Sequence, residues 1–418
     1  MGRFVSQAVA INGPTNVSRR GRGGGAAGCS STEEAENETT EDGNAEDGTA
    51  SDDGAEANAF DDFEDITEWD VPIGTLSADA DRSYTGSQSA RLESGDGDDQ
   101  VRLVRELTTP RDLSGTRPAL ALATEEQADI LVQLLNEDGD RIDFRQRIHT
   151  DTPLVQCNFG IDTIDGDPDL STVNEVQIIR WTGEDDKGAV WVDDLRFVDA
   201  PETGQVMLQF DGGYETDYTR ALPILEEYDL PAVSFLTTGR IREADSDEGE
   251  HLVRDQVTAL ADAGWTIGSH SAHGADLTDL SSGRDPETEV SDAVAWLEDA
   301  GFESGAQYFS YPYGRYNEAT LEAVTAHHDL AFAGRYPSQG AAANPYLCSR
   351  VTAPDVEEAR SILDLTAERG GITSLAFGEL DDDTESTLAE TVDYLAELES
   401  AGELEVILPS DVEDTVVQ

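Results

Sequence analysis

Gln205-Val-Met-Leu-Gln-Phe-Asp-Gly-Gly-Tyr214 runs an apolar stretch into one aspartate and two glycines. An unbroken apolar run closed by Gly-Gly suits a strand buried on both faces. Residues 217–228 follow, with Tyr218, Leu222, Leu225 and Tyr228 on a helical stripe that Pro223 shortens or kinks. Residues 231–236 read as a second strand, 252–263 as a helix stopped at Gly264, and 265–268 as a third strand. Pro286–Ala300 has Asp285 as N-cap, Pro286 in the first turn and Gly301 as terminator. Strands at 306–310, 330–333, 372–377 and 404–408 alternate with helices at 318–327, 354–369 and 386–400. This order demands a parallel sheet, and about seven units predict an α/β fold, a distorted (β/α)7-type barrel over 204–418, with functional residues just after the strands.

Upstream, residues 60–200 read as an all-β unit. Residues 128–135 and 141–148 flank Asp138-Gly139, and Ile142, Phe144 and Ile148 alternate with polar residues, which predicts a hairpin. A second hairpin is expected from residues 176–181 and 189–197. No helical period competes, so the unit is expected to be a jelly-roll sandwich with Trp69, Trp181 and Trp191 in its core.

The 418 residues hold 89 acidic and 26 basic side chains, a net charge of −63, and Lys187 is the one lysine. Such a surface repels phosphate backbones, which argues against nucleic-acid binding. Self-repulsion of this size is relieved by salt, so the composition reads as adapted to concentrated salt. Cys29, Cys157 and Cys348 make no disulfide framework, and no stretch approaches a membrane span.

Arg19-Arg20 followed by Ala27-Gly28-Cys29 resembles a twin-arginine export signal ending in a lipobox, with glycine where an apolar core belongs. The resemblance implies an extracellular or surface-anchored protein with a lipid anchor at Cys29; without export it would be cytoplasmic. Residues 30–59 then form an acidic spacer, with eleven acidic residues and no basic one from Ser31 to Asn58.

Phe60-Asp-Asp-Phe-Glu64, Tyr84-Thr-Gly-Ser-Gln-Ser-Ala-Arg-Leu92 and Trp191-Val-Asp-Asp-Leu-Arg-Phe197 resemble carbohydrate-binding modules of the galactose-binding-like class. That resemblance implies a structural calcium, for which Asp61, Glu64 and Asp194 would be oxygen ligands. In the C-terminal half, Phe210-Asp-Gly-Gly-Tyr214, Ile267-Gly-Ser-His-Ser-Ala-His273 with Leu277-Thr-Asp-Leu-Ser281, Phe309-Ser-Tyr-Pro-Tyr-Gly314 and Ser374-Leu-Ala-Phe-Gly-Glu379 resemble, in order, the motifs of polysaccharide deacetylases, the NodB-like domain.

The family resemblance implies hydrolysis of an N- or O-acetyl group on a sugar, with an aspartate base, a zinc-like divalent metal held by Asp-His-His, and a late histidine acid. It places the base at Asp211 and the first metal histidine at His270. The metal aspartate, second metal histidine and acid fall on Gly212, Gly274 and Gly378. His273, three residues after His270, would share a helical face with it and could hold the same ion; Asp217 or Asp276 would have to swing in. His327 and His328 are expected to be solvated. Tyr214, Tyr311, Pro312, Tyr313 and Tyr316 are candidates for a glycan groove, or for packing at the barrel mouth. Two readings follow: a relative that binds acetylated polysaccharide with catalysis reduced or absent, and an active metal-dependent deacetylase using Asp211, His270 and His273. Restoring Gly212→Asp, Gly274→His and Gly378→His together is expected to regain metal binding.

Overall fold

The computed structural model describes residues 59–95, 97–181, 188–244, 250–413 and 415–416. Arg19, Arg20, Cys29, nearly all of the acidic spacer and Lys187 lie outside the described residues.

The N-terminal half is two six-stranded antiparallel sheets. One orders Thr75–Asp79, Ser89–Glu93, Val190–Asp199, Thr116–Thr124 and Thr152–Asn158, with Ala59–Asp61 also on Val190–Asp199. The other orders Gly160–Asp165, Arg141–Ile148, Ala128–Leu135, Val173–Trp181, Gln100–Arg111 and Asp70–Ile73. The first expected hairpin forms in register, from Ala128 opposite Ile148 to Leu135 opposite Arg141. The second does not. Val173–Trp181 is flanked on both sides by Gln100–Arg111 and Ala128–Leu135, so Val190–Asp199 has no free edge to join and lies in the other sheet. Trp69 and Trp191 are buried, whereas Trp181 is 43% exposed.

The C-terminal half is a parallel sheet wrapped by helices. Its strands are β1 (Gly204–Gly212), β2 (Val233–Leu236), β3 (Thr266–Ser269), β4 (Tyr308–Ser310), β5 (Leu330–Phe332), β6 (Val351–Thr352), β7 (Ile372–Phe377) and β8 (Leu404–Val406). The order is β5-β4-β3-β2-β1-β7-β6, with β8 against the start of β1. Among the described residues no ladder closes β5 onto β6; a bridge, Phe332 to Cys348, spans the gap, so the sheet is a half-barrel. The helices are α1 (Leu222–Glu226), α2 (Arg254–Asp262), α3 (Pro286–Ala300), α4 (Glu318–His327), α5 (Val356–Arg369), α6 (Asp382–Ala401) and α7 (Pro409–Glu413). α3 carries the expected cap, with Asp285 accepting from Thr288 N and Gly301 left-handed at φ 91°. The helix expected over 217–228 becomes a wide turn over residues 217–221 running into the short α1, which carries Pro223 in its first turn. Among the described residues no helix is long and apolar enough to cross a membrane.

The two halves share one apolar cluster that runs from Phe144, Cys157 and Phe159 to Phe309, Tyr311 and Tyr316. Polar contacts reinforce it. Buried Arg117 donates to Ser338 O at 2.8 Å and Arg369 O at 2.7 Å, and Asn158 Nδ2 donates to Asn344 O at 2.8 Å.

Candidate functional site

Strand alternation puts Asp211 on the face of β1 that carries Met207 and Gln209. Its Oδ1 accepts from Ser310 Oγ at 2.8 Å and from Arg350 Nη1 at 2.9 Å, and its Oδ2 lies 2.8 Å from Arg350 Nη2. Burial works to raise this carboxyl, but the Arg350 guanidinium, His270 and the two hydrogen bonds outweigh it and hold Asp211 below the ordinary value. His270, just past β3, has Nδ1 3.1 Å from Ser310 Oγ and 3.9 Å from Asp211 Oδ1. Burial, only partly opposed by Asp211, pushes its imidazole down, which keeps it neutral near pH 7. With the Ser310 proton given to Asp211, His270 Nδ1 donates to the serine oxygen and Nε2 keeps its lone pair.

His273 goes elsewhere. Residues 271–273 are a turn with Ser271 at φ 64°, so the two imidazoles do not share a helical face. His273 Nδ1 sits 3.1 and 3.0 Å from the two oxygens of buried Glu289. Asp217 is fully buried and accepts from Ser234 Oγ at 2.8 Å, and Asp276 is occupied by Thr278 and Arg315. Neither swings toward His270. Among the described residues no three His, Cys, Asp or Glu side chains converge as a metal-ligand group. A catalytic zinc keeps three protein ligands, and this donor set does not fit one.

The three glycines differ in room. Gly212 has φ 101°, and a Cβ there would meet Tyr214 Cε2 at 2.6 Å. Gly274 has φ 62° and Thr237 Oγ1 at 2.8 Å, while nothing lies within 4 Å of a Cβ at Gly378. Simple restoration of the metal ligands therefore meets strain at two of its three positions.

The tyrosine loop also divides. Tyr311 is 0% exposed and packs edge-on to Phe309; Pro312 and Tyr316 are buried with it. The pull of the shared core makes Tyr311, Pro312 and Tyr316 packing residues, not groove residues. Tyr313, at φ 60°, is 74% exposed, and the Tyr214 ring packs at a tilt against His251, centroids 4.7 Å apart. His327 lies at the surface against Glu287, but His328 is buried, donates from Nδ1 to Ala306 O at 2.8 Å, and is pushed down to about 3 by burial. The expectation that both were solvated fails for His328 because its ring packs on Phe309.

In the sandwich, Asp61 accepts from Phe63 N at 2.8 Å and Trp69 Nε1 at 2.9 Å and pairs with Arg105. Glu64 accepts from Ser87 N and Oγ, both at 2.6 Å. Asp194 accepts from Gln156 Nε2 at 3.1 Å and pairs with Arg196. These three carboxylates have separate partners and form no ligand cluster of the expected calcium kind.

Sequence reading passed over Arg350, Ser310 and Glu289, which hold the motif residues in place. Arg350 belongs to no motif; its only signal is a scarce cation beside a short apolar strand.

Residues 199–330 match the polysaccharide deacetylase family, and this segment carries that domain; it is less than half of the chain. The polysaccharide deacetylase-type protein YxkH of Bacillus subtilis (strain 168) is 32% identical over 124 residues, 30% of this chain and 42% of YxkH. A poly-beta-1,6-N-acetyl-D-glucosamine N-deacetylase of Staphylococcus aureus (strain MSSA476) is 25% identical over 129 residues, 28% of this chain and 43% of the relative. The chain thus spans under half the length of these curated relatives. Among solved structures, a family 4 acetyl xylan esterase from Clostridium thermocellum in complex with a cobalt ion is 15% identical, with a TM-score of 0.36 over 50% of this chain and 89% of the other.

Proposed function

We propose that this chain is a deacetylase-type protein that binds acetylated surface polysaccharide at the loop end of its half-barrel, with acetyl hydrolysis reduced or absent. One observation carries the reading. Asp211, at the position of the base, is bound through both oxygens by Arg350, and beside it stands one imidazole, with no further carboxylate or imidazole among the described residues to complete a metal centre. The family match over 199–330 supports the substrate class. The β-sandwich, in this proposal, is a jelly-roll carbohydrate-binding module that adds affinity for the same polymer. Export, with the Cys29 anchor, would place both modules at the cell surface.

The test is retention on insoluble acetylated polysaccharide in molar salt, alongside acetate release with zinc or cobalt supplied. Retention without acetate is the expected outcome. Acetate release that disappears in D211N and H270N would replace this reading with the active-enzyme one. Neither retention nor release would refute both.

A further inference from the structure

Cations are scarce in this chain, yet one cavity gathers them. About 540 Å³ in volume, it is lined by Arg240, Arg284, Arg315, His273, Asp276 and Tyr313 together with small residues. Arg240 follows β2, His273 and Asp276 follow β3, and Tyr313 and Arg315 follow β4, so the cavity lies at the same strand ends as Asp211. The loops after β2 and β3 are tied together by Gly239 N donating to Ala272 O at 2.8 Å. Three guanidiniums here face one lining carboxylate, in a protein with 26 basic and 89 acidic residues. That inverts the composition of the whole surface.

The lining carboxylate is already spent. Asp276 Oδ1 accepts from Thr278 N and Oγ1, and its Oδ2 accepts from Arg315 Nη1 at 2.6 Å. Arg315 uses one nitrogen for this, and its side chain is 59% exposed. Arg284 reaches Glu289 only at 3.5 Å through Nε. Arg240 is exposed and enters no ion pair among the described residues. A guanidinium carries five N–H donors and binds planar oxyanions through two at once, so most of this donor capacity faces the cavity's solvent unused. Beside it, the exposed Tyr313 ring offers an apolar face with a polar tip, the surface a sugar ring covers.

We infer that the sugar held in this cavity carries an anionic group, a uronate carboxylate or a sulfate ester, gripped by Arg240, Arg284 and Arg315 with Tyr313 against the ring. The inference rests on the glycan reading above and narrows it to acidic glycans. The net charge of −63 does not forbid this. At about 1 M salt the Debye length is only about 3 Å, so remote carboxylates are screened while guanidiniums in contact with the ligand still act.

Calorimetric titration of the full chain in molar salt tests it, using matched oligosaccharides that are neutral, uronate-bearing or sulfated, plus inorganic sulfate alone. The anionic oligosaccharides should bind about tenfold or more tighter than the neutral one, and R240Q and R315Q should each remove most of that preference. R240Q breaks no ion pair, so it remains readable if R315Q fails to fold. Equal affinity for neutral and anionic oligosaccharides overturns the inference and leaves the glycan reading intact. So does an anionic preference unchanged in R240Q, or sulfate alone binding as tightly as the sulfated sugar. If no oligosaccharide of any charge binds, the glycan reading itself falls and takes this one with it.

Discussion

At Gly212 the backbone sits at φ 101°, and the ring of Tyr214 fills the space a side chain would take. Left-handed backbone costs a residue with a Cβ about 1–2 kcal/mol before any clash. G212D is therefore expected to lower the melting temperature, while G378H, in open space, should leave it nearly unchanged. The triple restoration to Asp, His and His should melt earlier and take up no metal. A triple variant that melts with the wild type and binds one equivalent of zinc would contradict this. Asp211 and Arg350 form a second residue-scale test. Both are largely buried, and removing one partner of such a pair strands the other, at a cost of about 3–5 kcal/mol. Chemical denaturation should show that loss in R350M, and D211N/R350M should recover a large part of it. Equal stability of R350M and wild type would mean the pair is not what holds Asp211.

The wide turn over residues 217–221 carries a buried acid whose titration shapes stability. Burial pushes Asp217 up to about 8, against the hydrogen bond from Ser234, which lowers it. Between the unfolded value of 3.8 and about 8, the folded state keeps a proton that the unfolded state has released. The contribution of this group is thus full below pH 4 and declines as pH rises to about 8. Stability measured across that window should fall less steeply in D217N than in wild type; parallel curves would refute the assignment. Elements like this show where sequence suffices. The hairpin across Asp138-Gly139 was legible because alternation and turn chemistry are local. Val173–Trp181 and Val190–Asp199 were not a hairpin because strand pairing depends on which neighbours have already taken the edges. Tyr311 and Tyr313 stand two residues apart in one motif, one in the core and one at 74% exposure, and residue type cannot tell them apart. Asp211 and His270, singled out by their motifs, lie 3.9 Å apart, whereas Arg350 arrives from the far end of the sheet and has no local signature. His273 was misplaced because i,i+3 proximity presumes a helix, and Ser271 at φ 64° breaks it.

Across the whole molecule, two features set behaviour. Arg117 reaches from the sandwich to the loop that holds Ser338 and to the C-terminal end of α5 at Arg369, within a core common to both halves. Wild type should unfold in one transition, and R117A should separate it into two; a single unshifted transition in R117A would show that the apolar cluster alone couples the halves. The second feature is charge. With −63 spread over 418 residues, raising ionic strength shortens the Debye length from about 10 Å at 0.1 M to about 3 Å at 1 M. The melting temperature should climb steeply over that range, and a flat response would contradict the view that self-repulsion limits stability.

The central claim, a glycan cleft without a metal centre, is tested most directly by titrating zinc into the purified chain in molar salt and counting equivalents bound. The account predicts no stoichiometric uptake, and the same heat trace for wild type and H270N. One tightly bound equivalent, abolished in H270N and in H273N, would contradict it.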